Sequence, residues 1–345
     1  MSDRIARLQS TLEQPLLVTN PRNVVYLVGF ESSNCALLVE AERVRLFTDF
    51  RYLDAAAAVE NVEVVQTRRD LIGELAETLT GSVGFEARAV TYASYEILRD
   101  GGAELVPTYG AVESLRAVKD ERELDALRAA CAITDRVFER FIEVPFVGRS
   151  ERDVSWDLAR LFHEEGGGGL AFESIVGSGP TGSMPHARAG RRVIERGELV
   201  VVDTGTTVDG YASDYTRTFA TGPLDGEAKD VYDVVLRAQE TALAGIRAGL
   251  SGVEADALAR TVIEESPYAG RMGHGLGHGL GLDVHEAPRM STESDDVLVP
   301  GNVVTVEPGI YLSGRFGVRI EDDVVVTEDG VENLTGFRKD LIEVG

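Results

Sequence analysis

Gly273–Pro288, GHGLGHGLGLDVHEAP, carries three of the five histidines of this 345-residue chain, His274, His278 and His285, within twelve positions. Glycines separate them where a core would place bulky apolar side chains. Glycine lets a backbone take positive φ and pass close to a bound group, and neutral imidazole is the commonest metal ligand. A glycine-rich loop can also cradle phosphate, but no Lys-Ser/Thr follows as a P-loop requires. Four carboxylates elsewhere give the stretch its meaning.

Two precede it. In Glu198–Phe219, ELVVVDTGTTVDGYASDYTRTF, Asp203 ends the apolar run Leu199–Val202, and Asp214, eleven positions on, starts a second β-rich run, Asp214–Ala220. Val208-Asp209-Gly210 supplies the turn between them. Two follow it. Glu307 ends the run Asn302–Val306, which Pro308-Gly309 breaks. Glu321 lies fourteen positions further, in Gly317–Val326, GVRIEDDVVV. Each pair has one form: an acid at the end of one apolar strand and another on a neighbouring strand.

Burying an ionised carboxylate is costly unless it is paired or binds a cation. Arg217 and Arg319 are the local cations, and in a period-2 strand Arg319 and Glu321 share a face. Two arginines cannot neutralise four acids, so a cation deficit remains. Divalent ions held by carboxylates and one imidazole remove it, and oxygen-rich ligation without sulfur favours Mn²⁺ over a structural zinc. Solvated strand-end acids would account for any one of these groups, but not for all five together.

These motifs resemble the metal-dependent "pita-bread" peptidases of family M24, in particular the Xaa-Pro dipeptidases (prolidases) and Xaa-Pro aminopeptidases, over nearly the whole chain. The fold this implies is α/β (α+β): a small amino-terminal creatinase-like α/β domain, 1–115, then a pita-bread catalytic domain, 116–345. The family's ligand order Asp, Asp, His, Glu, Glu falls on Asp203, Asp214, His278, Glu307 and Glu321. By that resemblance two divalent ions bind, Mn²⁺ foremost with Co²⁺ or Zn²⁺ as alternatives, and Asp214 and Glu321 bridge them. His186 (in SMPHA) and His285 (in DVHE) match the family's substrate-side histidines, and Arg289 matches the position that holds a substrate carboxylate. Arg319 matches the arginine that supports the bridging carboxylates, and His274 is not a ligand. Creatinase-like relatives have lost ligands, whereas none is missing here.

The implied reaction is hydrolysis of the bond preceding proline, with a bridging hydroxide as nucleophile. Glu307 moves the proton to the leaving nitrogen, and His285 or His186 faces the oxyanion. A bond before proline has no N–H to grip, so a pocket shaped for the ring supplies specificity. Arg289 favours a dipeptide; a short peptide with proline second, cut by an aminopeptidase, is the alternative. A hydrolase of a small non-peptide amide, such as a compatible-solute derivative, and a catalytically dead binding module are rivals from other classes. The amino-terminal domain counts against methionine aminopeptidases, which lack it, and the resemblance implies a homodimer.

The net charge is −24, from 34 basic and 58 acidic residues, and only Lys119, Lys229 and Lys339 are lysines. Self-repulsion of this kind is screened by salt, so the composition suggests a halophilic enzyme; an acidic enzyme from a GC-rich genome is the alternative. No basic stripe suits nucleic acid, and neither a signal peptide nor a membrane span is recognisable. Cys35 and Cys131 fall in different domains, so two buried free thiols in a reducing cytoplasm are expected.

Strand and helix alternate in the first domain. Strands are expected at Pro15–Val18, Asn23–Leu27, Val62–Gln66, Val83–Glu86 and Glu104–Pro107, with a hairpin over Ala36–Phe47. Helices are expected at Ile5–Leu12, Arg51–Val59, Asp70–Leu79 and near Ser94–Leu98. Further on, Arg116–Glu123 opens a helix reaching about Glu143, and Ser150 caps another over Glu151–Glu164 that carries His163 on its surface. Helices at about Gly226–Ala248 and Val253–Glu265, the latter with a Ser251–Glu254 capping box, separate the two acid pairs. Strand pair, helices, strand pair is the order of a duplicated half.

Overall fold

A computed structural model describes residues 2–345. The chain divides into two units, one ending at Arg116 and the other running from Ala117 to Gly345. The first is built on a six-stranded mixed sheet ordered β4-β3-β2-β1-β5-β6, comprising β1 (Leu16–Val18), β2 (Cys35–Val39), β3 (Val44–Asp49), β4 (Glu63–Thr67), β5 (Ser82–Glu86) and β6 (Glu104–Thr108). Its helices are α1 (Ser2–Gln9), α2 (Pro21–Val28), α3 (Leu53–Ala56), α4 (Leu71–Thr78), α5 (Tyr92–Asp100) and α6 (Glu113–Arg116). Leu17, Phe47, Leu75, Phe85 and Leu98 fill a core between sheet and helices.

Two expectations for this unit are corrected. Asn23–Leu27 is not a strand; it lies inside α2. Asn20 accepts the Arg22 N–H at the helix start, Pro21 sits in the first turn, and Gly29 ends the helix with φ 68°. These start and stop signals outweigh the β propensity of Val24, Val25 and Tyr26. The helix expected over Arg51–Val59 contracts to α3, because Tyr52 at its start offers no side-chain cap.

In the second unit, α7 (Glu121–Phe141) begins where Asp120 and Glu123 form a capping box, and α8 (Glu151–Glu164) begins at Ser150, whose hydroxyl accepts the Asp153 N–H. Both cover a three-stranded antiparallel sheet ordered β11-β8-β7, comprising β7 (Ile175–Ser178), β8 (Leu199–Thr204) and β11 (Tyr215–Ala220). A small hairpin, β9 (Thr207–Val208) and β10 (Tyr211–Ala212), interrupts the chain between β8 and β11. Val200, Val202, Tyr215 and Phe219 point to the helix side and pack with Phe138, Phe141 and Phe162.

The second half repeats the plan. Helices α9 (Gly226–Gly245) and α10 (Gly252–Glu264, with the Ser251–Glu254 capping box) cover a sheet ordered β13-β12-β14-β17-β18. It comprises β12 (Gly277–Gly279), β13 (Glu286–Met290), β14 (Val303–Val306), β17 (Asp322–Val326) and β18 (Val331–Asn333). The stretch Gly317–Val326 is two strands rather than one. Its first part belongs to β16 (Phe316–Arg319), which pairs with β15 (Gly309–Leu312), and its second to β17, which pairs with β14. Glu321 lies in the break between them. Two hydrogen bonds from backbone N–H groups join the halves there: Glu321 N–H donates to Thr216 O at 3.0 Å, and Asp214 N–H donates to the Asp323 side-chain carboxylate at 2.9 Å.

Candidate active site

Alternation along β8 and β11 places Asp203 and its registered partner Thr216 on the face away from α7 and α8. Asp214 precedes β11, Glu307 follows β14, and His278 is the middle residue of β12. One ligand atom each from Asp214, His278 and Glu321 lies within 4.8 Å of the others. His278 Nε2 is 3.3 Å from Glu307 Oε1 and 3.8 Å from Asp214 Oδ2. His278 Nδ1 donates to Gly279 O at 3.1 Å, which turns Nε2 toward the acids. Gly277 is obligatory beside it, since a Cβ there would stand 2.0 Å from Thr305 O.

The fifth residue, Asp203, is tied down on one side only. Arg319 Nη2 donates to its Oδ2 at 2.6 Å, while Oδ1 is buried without a hydrogen-bond partner among the described residues. Arg319 also donates to Thr216 Oγ1 at 2.9 Å and to the Tyr311 hydroxyl at 3.0 Å. Tyr311 in turn bonds to His274 Nε2 at 2.9 Å, and His274 Nδ1 to Gly275 O at 2.8 Å. His274 therefore steadies the arginine through a tyrosine, apart from the cluster. Arg319 pairs with Asp203 rather than with Glu321, whose Oε2 accepts from Thr216 Oγ1 at 2.5 Å.

The electrostatics show a surplus of buried negative charge. Burial, then the charges of Asp203, Asp323 and Glu307, push Asp214 well above the usual carboxylate range. Burial, then Asp214, Glu307 and Asp203, do the same to Glu321. Burial also raises Asp203, against the opposing pull of Arg319. Burial works against the charge of Glu307, but the hydrogen bond and charge of His278 overcome it and bring Glu307 to about 2. His278 is raised reciprocally, in spite of its own burial. An orphaned buried oxygen, excess carboxylates and an imidazole nitrogen turned toward them fit divalent metal.

The cluster opens into a cleft of about 720 Å³. His186, His285 and Arg289 line it, together with Phe172, Ile175 and Pro185. The His285 ring centroid stands 4.2 Å from that of His278. Partial burial and the neighbouring His278 hold His285 below its ordinary pKa, so it is neutral at pH 7. Arg289 is the registered partner of His278 across β12 and β13, which places both on one face. Thr216, Thr305, Tyr311 and Asp323 are the participants that sequence reading missed. Asp323 had a signal, a second acid in the apolar run DDVVV, whereas an uncharged Thr or Tyr in a strand carries none.

Two covered α/β halves with buried acids and a histidine facing a cleft define a metal-dependent hydrolase. The chain matches metallopeptidase family M24 over residues 125–328 and the creatinase/prolidase amino-terminal domain over residues 4–118, and it belongs to family M24. Among solved structures it is similar to a Xaa-Pro dipeptidase from Bacillus anthracis, with 40% identity, 99% of both chains covered and a TM-score of 0.95. An X-Pro aminopeptidase from Thermotoga maritima is similar at 34% identity and a TM-score of 0.89, covering 98% of this chain and 100% of that one. The Xaa-Pro dipeptidase of Pyrococcus horikoshii is 33% identical, over 97% of this chain and 95% of its own. Family membership makes the chain a metallopeptidase of the dinuclear type. No helix among the described residues is long and apolar enough to cross a membrane.

Proposed function

We propose that this chain is a dipeptidase that hydrolyses the peptide bond preceding proline in Xaa-Pro dipeptides. The observation that carries the reading is the buried acid–histidine cluster opening into a cleft that Arg289 also lines; a guanidinium there suits a free carboxylate. The similar Xaa-Pro dipeptidases support it.

Asp203, Asp214, His278, Glu307 and Glu321 would hold two divalent ions, for which Mn²⁺ suits the oxygen-rich donor set. Bound there, paired ions lower the pKa of a water and polarise the scissile carbonyl. Glu307, oriented by a 3.1 Å hydrogen bond from Thr305 Oγ1, takes the proton of the attacking water and passes it to the proline nitrogen. Neutral His285, or His186 beside it, donates a hydrogen bond to the developing oxyanion. Arg289 holds the terminal carboxylate, and Phe172, Ile175 and Pro185 exclude water around the pyrrolidine ring. The two buried, unpaired cysteines are in keeping with a cytoplasmic setting, the net charge of −24 with a salt-adapted surface, and the resemblance with a homodimer.

The test compares a Xaa-Pro dipeptide with a Xaa-Pro-Yaa tripeptide, with Mn²⁺, in low and high salt, beside a chelated control. Metal-dependent cleavage of the dipeptide with a poor tripeptide rate is expected. Efficient tripeptide cleavage would make the enzyme an aminopeptidase, and silence on both in protein holding two metals would overturn the reading. Arg289→Met should raise KM for the dipeptide about tenfold or more with kcat nearly unchanged, because it removes binding common to ground and transition states.

A further inference from the structure

The geometry points to the buried pair Lys119–Glu286 as a positioning device that sets His285 in the cleft; this rests on the reading of His285 as an oxyanion-side group. Glu286 opens β13 directly after His285, and its carboxylate folds back over the preceding turn. Oε1 accepts the Asp283 N–H at 2.9 Å, and Oε2 lies 3.4 Å from Lys119 Nζ. The two side chains are 1% and 7% exposed, Lys119 and Glu286 respectively. The space this carboxylate occupies exists because residue 281 is glycine, where a Cβ would meet both Glu286 oxygens at 2.9 Å.

Lys119 is itself fixed. Its N–H donates to Gly301 O at 2.9 Å, and the next residue, Asp120, caps α7 through the capping box with Glu123. The ammonium is therefore presented from a rigid helix start, 167 residues away in sequence from the carboxylate it meets. A buried ion pair adds little to net stability once its desolvation is counted, and its best-attested use is to fix register. Here the fixed segment is Asp283–Glu286, which holds His285 between a capped amide and an anchored carboxylate, its ring 4.2 Å from that of His278. Near the reacting atoms a displacement of about 1 Å can cost about a hundredfold in rate.

The test is a double-mutant cycle in metal-loaded enzyme, comparing Glu286→Gln, His285→Ala and the double variant on a Xaa-Pro dipeptide. Glu286→Gln should lower kcat about ten- to a hundredfold, with KM and metal content near wild type. In the His285→Ala background it should cost almost nothing more, whereas a general structural role would make the losses multiply. The combined Lys119→Met/Glu286→Gln variant removes both charges of the pair together, so it keeps a folded protein in hand and should show the same His285-dependent loss. A readout free of turnover is the ¹³C-histidine NMR spectrum, with the His285 signal identified by its loss in His285→Ala. Glu286→Gln should move or broaden that signal and leave His163 in place. An unmoved His285 signal, or multiplicative losses, would overturn the inference. A moved signal in an enzyme silent on every Xaa-Pro substrate would uphold it and overturn the functional reading instead.

Discussion

Glu321 and Asp322 are adjacent and both fully buried, yet they face opposite sides of the sheet junction into surroundings of opposite character. Asp322 accepts from Arg217 at 2.8 Å and from Lys339, Gln239 and Asn333, each at 2.9 Å. Burial works against its charge, but Arg217 and Lys339 more than offset it, and its pKa falls below the usual range. Glu321, one residue earlier, meets three other carboxylates, with Arg319 serving the group, and its pKa climbs well above that range. Arg217, which sequence proximity offered as a cation for the catalytic acids, takes Asp322 as its carboxylate partner and otherwise donates to backbone carbonyls, that of Glu321 among them. The contrast teaches that burial does not mark a ligand. A buried acid with its cations in place is structural, and a buried acid without them is a candidate ligand.

The comparison breaks most readily at its catalytic side. Asp214→Asn or Glu321→Gln should abolish turnover and metal binding, yet leave the metal-free protein as stable as wild type or more so, since each removes an uncompensated charge. Wild-type rates with full metal content in either variant would end the ligand assignment. On the other side, Asp322→Asn should leave the kinetics intact while costing about 3–5 kcal/mol of stability, because Arg217 and Lys339 lose their counter-charge. Denaturant melts beside steady-state kinetics separate these outcomes, and the two effects appearing in the reverse variants would refute the distinction.

Smaller effects sharpen it. Thr216→Val removes the hydroxyl that donates to Glu321 and accepts from Arg319, and metal affinity should weaken about 10- to 100-fold as for other outer-sphere partners. Competitive chelator titration reads this directly, and an unchanged affinity would free Thr216 from that role. The mildest test is pH. Asp214 and Glu321 have folded pKa values above their unfolded ones, so each costs stability once pH rises above the ordinary carboxylate range, and the cost is relieved as pH falls back through the raised value. The thermal midpoint of metal-free protein should therefore rise from pH 8 toward about pH 5. The metal-loaded protein should lack most of that rise, and parallel curves would disprove the charge-deficit account.

Much of this was legible in one dimension because strand chemistry leaves a periodic trace. An acid closing a run such as LVVVD or NVVTVE stands out against apolar neighbours, and the caps Ser150, Ser251 and Asp120 mark helix starts through local hydrogen bonds. The misreadings arose where local signals competed. In Asn23–Leu27 β propensity was overruled by Asn20, Pro21 and Gly29, and in GVRIEDDVVV one apolar run concealed a change of strand partner.

By itself the sequence determined the five candidate ligands, the two-part α/β plan and the surplus of acid, because residue type, spacing and net charge are properties of the chain. Only the tertiary structure decided which cation serves which acid. It sent Arg217 to Asp322 and Arg319 to Asp203, left Asp203 Oδ1 unpaired, and brought Lys119 to Glu286. The reason is range: charges act through space, and packing two covered halves together fixes distances that no local pattern records.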